Sequence, residues 1–301
     1  MIESHTVDTP DPTNNQPAGA KSKLSPRRRA RRVRLVQYVI FAAVLVFIVL
    51  AANWHQIGTV FFRPDMIKTT VTRLVQLAPG TPPRLFPGLL LAFGNTFAYS
   101  LGAFVLGLLL GTALALMKLS SVGPYRWVAT IYIEIFRGLP ALVVLLIFNY
   151  LPLGFNGLTI PFGTYGTVWL ALGIVYASYM SETIRAGIQA VPKGQVEAAR
   201  TLGMTAGMAT RRIVLPQAFR IITPPLTNDL IALIKDSSLI YIIGLSARAF
   251  DLTKYGRDIT NTTANLTPLI VAGLCYLVIT VPLGALVRRM EARNAAKGGA
   301  R

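Results

Sequence analysis

The chain has 301 residues and a formal net charge of +18; it is 53% hydrophobic and only 14% charged. Its apolar residues are gathered in runs that are too long for the helices of a soluble core, which excludes an ordinary soluble globular protein. About 20 mostly apolar residues are enough for a helix to cross about 30 Å of hydrocarbon. The runs without Asp, Glu, Lys or Arg extend over 35–62, 85–117, 138–181 and 259–287.

These apolar runs lack the two-residue alternation of barrel strands, and a backbone in lipid must satisfy its own polar groups. We therefore predict an all-α membrane protein. Its third and fifth spans carry charges and prolines and are expected to be the least regular. The six predicted transmembrane helices are 34–54, 88–117, 127–151, 165–189, 222–247 and 264–287.

The first span follows a polar tail, residues 1–33, and six arginines lie between positions 27 and 34, directly before its apolar stretch. The apolar stretch is longer than the 7 to 15 residues of a signal-peptide core, so we predict a helix that is retained in the mature chain. The tail is rich in Pro, Asn, Thr and Asp and is predicted to be disordered, because it has too few large apolar groups to repay ordering.

The positive charges predict the orientation of the spans. When the six predicted spans are threaded in order, 21 of the 30 Lys and Arg residues lie on the same side of the membrane as the N-terminus. Seven lie on the opposite side. Since positive residues stay in the cytoplasm, both termini, including the tail 291–301, are predicted to be cytoplasmic and 55–87 extracytoplasmic. The basic charge then reflects topology and contact with anionic lipid, not nucleic acid. The single cysteine, Cys275, forms no intrachain disulfide, and no metal site is expected.

A charged segment interrupts the apolar runs at 191–218, which we call the elbow. It is predicted to contain a helix over 195–202 that stops at Gly203. Thr205 is a natural N-cap for a second short helix, and Pro216 is expected to turn the chain.

The first elbow helix has a ridge with little side chain. Ala198 and Ala199 lie beside Glu197 and Arg200, so another protein is able to approach closely while the charges fix the register. Together with the residues that follow, this pattern resembles the EAA loop of ABC importer permeases. The resemblance implies that the ATPase subunits contact Glu197, Ala198, Ala199, Gly203, Leu215 and Pro216.

A narrower resemblance covers residues 88–290. It rests on three stretches, EIFRGLP at 134–140, ETIRAGI at 182–188 with VPKGQ at 191–195, and LIKDSSL at 233–239. They are similar to the membrane subunits of polar amino-acid ABC importers of the histidine, glutamine and arginine uptake type. That family implies a five-helix type I core; this chain adds the helix 34–54 and the linker 55–87, whose role stays open.

This resemblance implies a permease subunit, not an enzyme, in the bacterial cytoplasmic membrane. It implies two separate ABC ATPase subunits that bind ATP and Mg, a second permease that is a copy or a related chain, and an extracytoplasmic amino-acid-binding protein. The chain itself has no phosphate-binding G-x-x-x-x-G-K-[ST] motif, so we expect no catalytic residues and no cofactor here. The resemblance also implies alternating access; the sequence does not name the amino acid.

Ionisable residues inside the spans are candidates for the substrate pathway, because each costs at least about 2.5 kcal/mol at the bilayer centre unless it faces a cavity or a partner. Glu134 with Arg137 and Glu182 with Arg185 have i, i+3 spacing. For each pair an intrahelical ion pair is favoured, and substrate recognition is the alternative. A zwitterion needs a cation or a helix N-terminus and an anion, and the 138–140 break is able to supply such an N-terminus. The candidates are Glu134, Arg137, Glu182, Arg185, Asp229, Lys235 and Asp236.

Lys235 and Asp236 are adjacent and therefore point in different directions, toward a pore wall or a dimer contact. Two other functions compete with the permease. An ion-driven secondary transporter would show repeated halves, which 88–189 and 222–287 lack. A membrane scaffold would explain the spans but not the intramembrane charges.

Overall fold

The computed structural model describes residues 26–61, 88–155, 158–243 and 249–298, and within these ranges it contains helices and loops but no strand. The chain divides into two compact units, residues 1–57 and residues 58–301. The all-α prediction is therefore confirmed over the described part of the chain.

The first unit is built on one helix, α1, Pro26–Ala51, which is apolar over Leu35–Ala51. It begins eight residues before the predicted start at 34, so part of the predicted disordered tail is helical; residues 1–25 lie outside the described residues. Every side chain from 35 to 50 is exposed, although most are apolar. A short helix, α2, follows at Trp54–Phe61, and its residues from 58 onward belong to the second unit; its first residue donates an indole hydrogen bond to Val49 O at 2.7 Å.

The second unit contains a series of helices joined by short connections. Two stretches between them are tighter or wider than α-helix: a π-helical turn at Thr210–Val214 and a 3-10 helix at Ser237–Ile243. The α-helices are α3 Gly88–Leu119, α4 Gly123–Gly138, α5 Ala141–Gly154, α6 Thr164–Gln189, α7 Lys193–Thr201, α8 Ala206–Ala209, α9 Leu215–Asp236, α10 Leu252–Thr263 and α11 Thr267–Gly298.

Two of the described helices, α3 and α11, are long and apolar enough to cross a membrane on length and hydropathy. A third crossing results if α4 and α5, which meet at 103°, are taken as one broken span. The predicted spans at 165–189 and 222–247 correspond to α6 and to α9 with its 3-10 extension. Neither of these two is among the helices that are long and apolar enough to cross a membrane, so the count of six remains a prediction.

Helices α3 and α6 pack with their backbones close together at small residues. A Cβ at Gly111 would lie 3.0 Å from Ala177 O and 3.2 Å from Ser181 N. At Gly107 it would lie 3.2 Å from Gly173 O. The small residues of α3 therefore serve helix packing, as in many membrane helix pairs.

The start of α11 is bonded to the end of α2, a contact that we call the carbonyl clip. The carbonyls of Thr59, Val60 and Phe61 accept bonds from three consecutive residues. The donors are Asn265 Nδ2 at 3.2 Å, the amide of residue 266 at 3.1 Å and Thr267 Oγ1 at 3.0 Å. The start of a helix leaves amides without an intrahelical acceptor, and the clip satisfies one of them, the amide of Leu266; its other two donors are side chains.

Candidate functional site

The elbow begins with α7, which ends where the sequence predicts. Gly203 has φ +85°, a left-handed conformation that glycine adopts without a steric penalty. Its amide donates to Arg200 O, and the amide of Met204 donates to Ala199 O, both at 3.1 Å. This pair of bonds is a Schellman motif, which satisfies carbonyls that the end of a helix leaves free.

The second half of the elbow differs from the prediction after its first residue. Thr205 caps α8 as predicted, because its Oγ1 accepts the amide of Met208 at 3.3 Å. The chain does not turn at Pro216, however. Val214 and Leu215, which precede it, are both right-handed helical, and Pro216 lies in the first turn of α9, directly after the π-helical turn Thr210–Val214.

The elbow is fixed to the end of α6 and the start of α9. Val191, Val214 and Ala218 are buried against one another. Across the same junction, Gln217 Nε2 donates to Gln195 Oε1 at 2.6 Å. A force applied to α7 therefore reaches α9 through direct contacts.

The exposed surface of the elbow is not quite the predicted ridge. Glu197 and Ala198 are exposed, but Ala199 is only 3% exposed and packs inside the chain. The position next to the helix stop, Leu202, is 83% exposed, and Met208 is also exposed. Sequence analysis missed this leucine, although an apolar residue directly before a helix-ending glycine in a charged segment was a usable signal.

A cavity of about 460 Å³ lies where α4, α6 and α9 meet the break between α4 and α5. At the break, Leu139 and Pro140 are extended, since proline cannot continue the preceding helix without losing a hydrogen bond. A helix start leaves its first amides without an i−4 acceptor, and here the amide of Val143 donates to Pro140 O at 2.9 Å instead. The cavity is lined by Arg137, Gly138, Leu139, Pro140, Ala141, Val175, Tyr176, Tyr179, Asp229, Ala232 and Asp236.

Charged groups of both signs line this cavity. The Arg137 guanidinium lies over the ring of Tyr179, 5.5 Å from its centroid. Tyr176 donates its hydroxyl to Asp236 Oδ2 at 2.8 Å. By contrast, Asp229 Oδ2 is buried and has no hydrogen-bond partner among the described residues.

Of the predicted charge pairs, the one on α4 is not formed. Glu134 and Arg137 make no ion pair although both are described, and both are exposed. The reason is a contact with another helix: the guanidinium lies over the Tyr179 ring on α6. The free energy of such a cation–π contact is similar to that of an exposed ion pair. Lys235 is exposed and is not among the residues that line the cavity, whereas its neighbour Asp236 is.

The predicted pair on α6 is formed and has a third member. Arg185 Nη2 donates to Glu182 Oε2 at 2.6 Å and Nε donates at 2.9 Å. Lys118, at the end of α3, bonds the other carboxylate oxygen. We call these three residues the triad; its side chains are 21% to 29% exposed, and it joins α3 to α6.

A second polar network ties α3 to the segment that precedes α10. Asn95 Nδ2 donates to Phe250 O at 2.8 Å, and the hydroxyl of Tyr99 donates to Ala249 O at 2.6 Å. Thr96 Oγ1 accepts the amide of Leu252 at 3.2 Å. These side chains thus bond backbone groups about 150 residues away in sequence.

Asp251, in the same segment, is fully buried and caps α10 by accepting the amides of Thr253 and Lys254. Burial raises the pKa of this carboxyl, and the hydrogen bonds from those amides and from the hydroxyl of Tyr276 oppose the shift. The segment 249–252 is therefore held from several sides.

A helical membrane protein that places charged groups in a cavity beside a broken span has the features of a membrane transport component. The comparison with known families makes this specific. Residues 103–295 match the model of the binding-protein-dependent transport system inner membrane component. The chain belongs to this family.

Individual relatives and solved structures agree. The arginine transport system permease protein ArtQ of Bacillus subtilis is 39% identical over 62% of this chain and 83% of its own length. The glutamate/aspartate import permease protein GltK of Escherichia coli is 36% identical over 71% of this chain and 94% of its own length. The crystal structure of an amino acid ABC transporter with histidines has a TM-score of 0.60 and 35% identity, and covers 76% of this chain and 97% of that one.

Proposed function

We propose that this chain is the permease subunit of an ATP-driven importer that moves a polar amino acid across the bacterial cytoplasmic membrane. The observation that carries the proposal is the family match over residues 103–295, with relatives that are themselves amino-acid permeases. The partners are two ATPase subunits that bind ATP and Mg, a second permease and an extracytoplasmic binding protein. Both termini and the elbow face the cytoplasm, as the positive charges favour.

The elbow is the docking element for the ATPase. Its exposed surface combines a carboxylate, Glu197, with the small Ala198 and the apolar Leu202, a combination typical of an interface core with a charged rim. Gly203 sets the direction in which the chain leaves α7. Because α7 is bonded to α9 through Gln195 and Gln217, closure of the ATPases moves α9, which lines the cavity, and thereby alternates access to the substrate.

The cavity beside the α4–α5 break is the substrate site. The carboxylate of an amino acid fits the Arg137 guanidinium and the N-terminus of α5, and its ammonium group fits Asp236. The ring of Tyr179 lies under the guanidinium, and the hydroxyl of Tyr176 donates to Asp236. These contacts hold the two charged groups in place.

One experiment tests the proposal. The chain is purified with the products of its neighbouring genes, and ATPase retention and amino-acid-stimulated ATP hydrolysis are measured. We expect Glu197→Lys to release the ATPase and Glu291→Lys, a matched change at an exposed glutamate of α11, to leave it bound. A complex that is unchanged by Glu197→Lys, or uptake that persists without ATP, would contradict the proposal.

A further inference from the structure

We propose that the C-terminal end of α11 holds the headgroup phosphate of an anionic phospholipid at Arg288 and Arg289. The inference requires only that α11 crosses the membrane, so it does not depend on which solute the chain transports. It rests on the face of α11 that carries the two arginines, on the length of this helix and on the direction of the Arg288 guanidinium.

One face of α11 presents apolar side chains outward along most of its length. Leu277 and Val278 are 53% and 68% exposed, and Leu274, Val281 and Leu286 are exposed as well. We call this face the apolar stripe. Because α11 is long and apolar enough to cross a membrane, the stripe is the surface that the acyl chains of lipid cover.

The two arginines continue the apolar stripe. Arg288 follows Leu277 by eleven residues, and Arg289 follows Val278 by eleven residues. Eleven residues of α-helix make three full turns plus about 20°, so each arginine lies on the same face as its apolar partner, about 16 Å further along the axis. Both arginines are exposed. The stripe therefore ends in two adjacent cations.

The length of α11 places these cations at the level of the lipid headgroups. The helix runs over Thr267–Gly298, and about 20 residues are enough to cross the hydrocarbon. Counted from its first residue, that length ends at about position 287, directly before the arginines. The guanidinium of Arg288 lies back over the preceding turn, where its Nη1 is 3.6 Å from the position that a Cβ of Gly284 would take. A cation at the edge of the hydrocarbon requires an anion at the same depth.

The described part of the chain does not supply this anion. Neither arginine forms an ion pair there. The nearest carboxylate in sequence is Glu291, almost one turn after Arg288, but the guanidinium points the other way, toward Gly284. The counter-charge must therefore come from outside the chain.

Membrane topology alone does not account for this arrangement. The positive-inside bias needs Lys and Arg on the cytoplasmic side, but it does not determine which face of a helix carries them. The elbow offers a comparison, because Arg211 and Arg212 are also adjacent and exposed but lie in the π-helical turn before α9. This second pair has the same charge without an apolar stripe leading to it.

A phospholipid with a net negative charge fits both halves of the site. Its acyl chains lie along the apolar stripe, and its phosphate oxygens accept hydrogen bonds from the guanidinium groups. Phosphatidylcholine has the same phosphate beside a choline cation, so the arginines favour phosphatidylglycerol over it. The opposite face of α11 is bonded to α9, since Asn294 Nδ2 donates to Arg220 O at 2.8 Å. A lipid held at the arginines thus fixes the depth of α11 beside α9.

The test is the local lipid selectivity of the purified protein, reconstituted with the subunits that co-purify with it. Val281→Trp places an indole on the apolar stripe, about two turns before Arg288, where brominated acyl chains quench its fluorescence. The quenching of the protein without this change is subtracted, because the chain has three tryptophans of its own. We expect brominated phosphatidylglycerol to bind about ten- to thirtyfold more tightly than brominated phosphatidylcholine, the attraction of two basic residues to an anionic lipid.

Paired variants show whether these particular arginines cause the preference. In the Val281→Trp background, Arg288→Gln with Arg289→Gln is expected to reduce it to less than about threefold and to leave phosphatidylcholine binding unchanged. Arg211→Gln with Arg212→Gln, which removes the same charge from the elbow, is the matched control and is expected to retain the preference. Inorganic phosphate at matched ionic strength is expected not to displace phosphatidylglycerol, since it has no acyl chains.

Equal binding of the two lipids would overturn the inference. So would a preference that survives the loss of Arg288 and Arg289, or one that the elbow variant lowers as much. Displacement by inorganic phosphate would assign the arginines to a free anion and reject the lipid. Leu277→Trp, at an exposed position on the same stripe, repeats the measurement if Val281→Trp does not reconstitute. None of these results affects the proposed transport function.

Discussion

Glu182 neutralises two cations at once, so its loss is expected to affect stability more than the loss of an ordinary surface charge. Glu182→Gln keeps the shape of the side chain but leaves Lys118 and Arg185 facing each other without a counter-charge. Each hydrogen bond to a charged group contributes about 1.5–3 kcal/mol. Because the three side chains are 21% to 29% exposed and water replaces part of the loss, we expect a cost of about 2–3 kcal/mol.

This cost corresponds to a fall in Tm of about 4–12 °C, at about 2–4 °C per kcal/mol for a domain of this size. The measurement is thermal unfolding in lipid nanodiscs, followed by intrinsic fluorescence. Asp258→Asn removes the Lys254–Asp258 pair, whose carboxylate is 58% exposed, and is expected to cost no more than about 0.5 kcal/mol. Adding Lys118→Met to Glu182→Gln is expected to recover part of the loss, since it removes one uncompensated cation.

A Glu182→Gln protein that melts within about 2 °C of the unaltered protein, the scale expected for an exposed pair, would refute this role of Glu182. The same role is refuted if the double variant loses more unfolding free energy than the two single variants lose together. The two cations would then not be competing for one carboxylate.

Three further changes test other contacts. Gly111→Leu is expected to cost about 1–3 kcal/mol by separating α3 from α6, and Gly94→Leu in the same helix, with open space at its Cβ, to leave the Tm unchanged; equal melting temperatures would exclude the close approach. Gly203→Ala is expected to cost about 1–2 kcal/mol because its φ is positive, and to weaken ATPase retention in the same complex; unaltered retention would contradict this. Tyr99→Phe leaves Ala249 O without its donor, so the amides of 249–252 are expected to exchange hydrogen faster, measured by mass spectrometry, whereas Tyr150→Phe at an exposed site is not.

Local signals in the sequence were sufficient for the backbone of the elbow and for the broken span. Gly203 and Thr205 act within one helical turn, so their effects are visible in the sequence and are confirmed by the Schellman bonds and the cap. The break at 138–140 follows from Pro140 in the same way. The error at Pro216 arose because proline is as compatible with the first turn of a helix as with a bend.

Contacts between distant residues were not predictable in this way. Lys118 and Glu182 are 64 residues apart, and no single-sequence pattern pairs them. The expected pair of Glu134 with Arg137 failed for the same reason, since Tyr179 on another helix competes for the guanidinium. Sequence analysis named Asp229 as a candidate, but only the structure places it with Arg137 and Asp236 around one cavity.

The carbonyl clip gives the residues before the family core a structural role of their own. Because Thr59, Val60 and Phe61 supply acceptors to the first turn of α11, a shift of that helix along its axis must either carry α2 with it or break three hydrogen bonds. The segment is thus a mechanical restraint on the last helix. A protein trimmed to residues 103–295, the part that matches the family model, would lose this restraint together with α1.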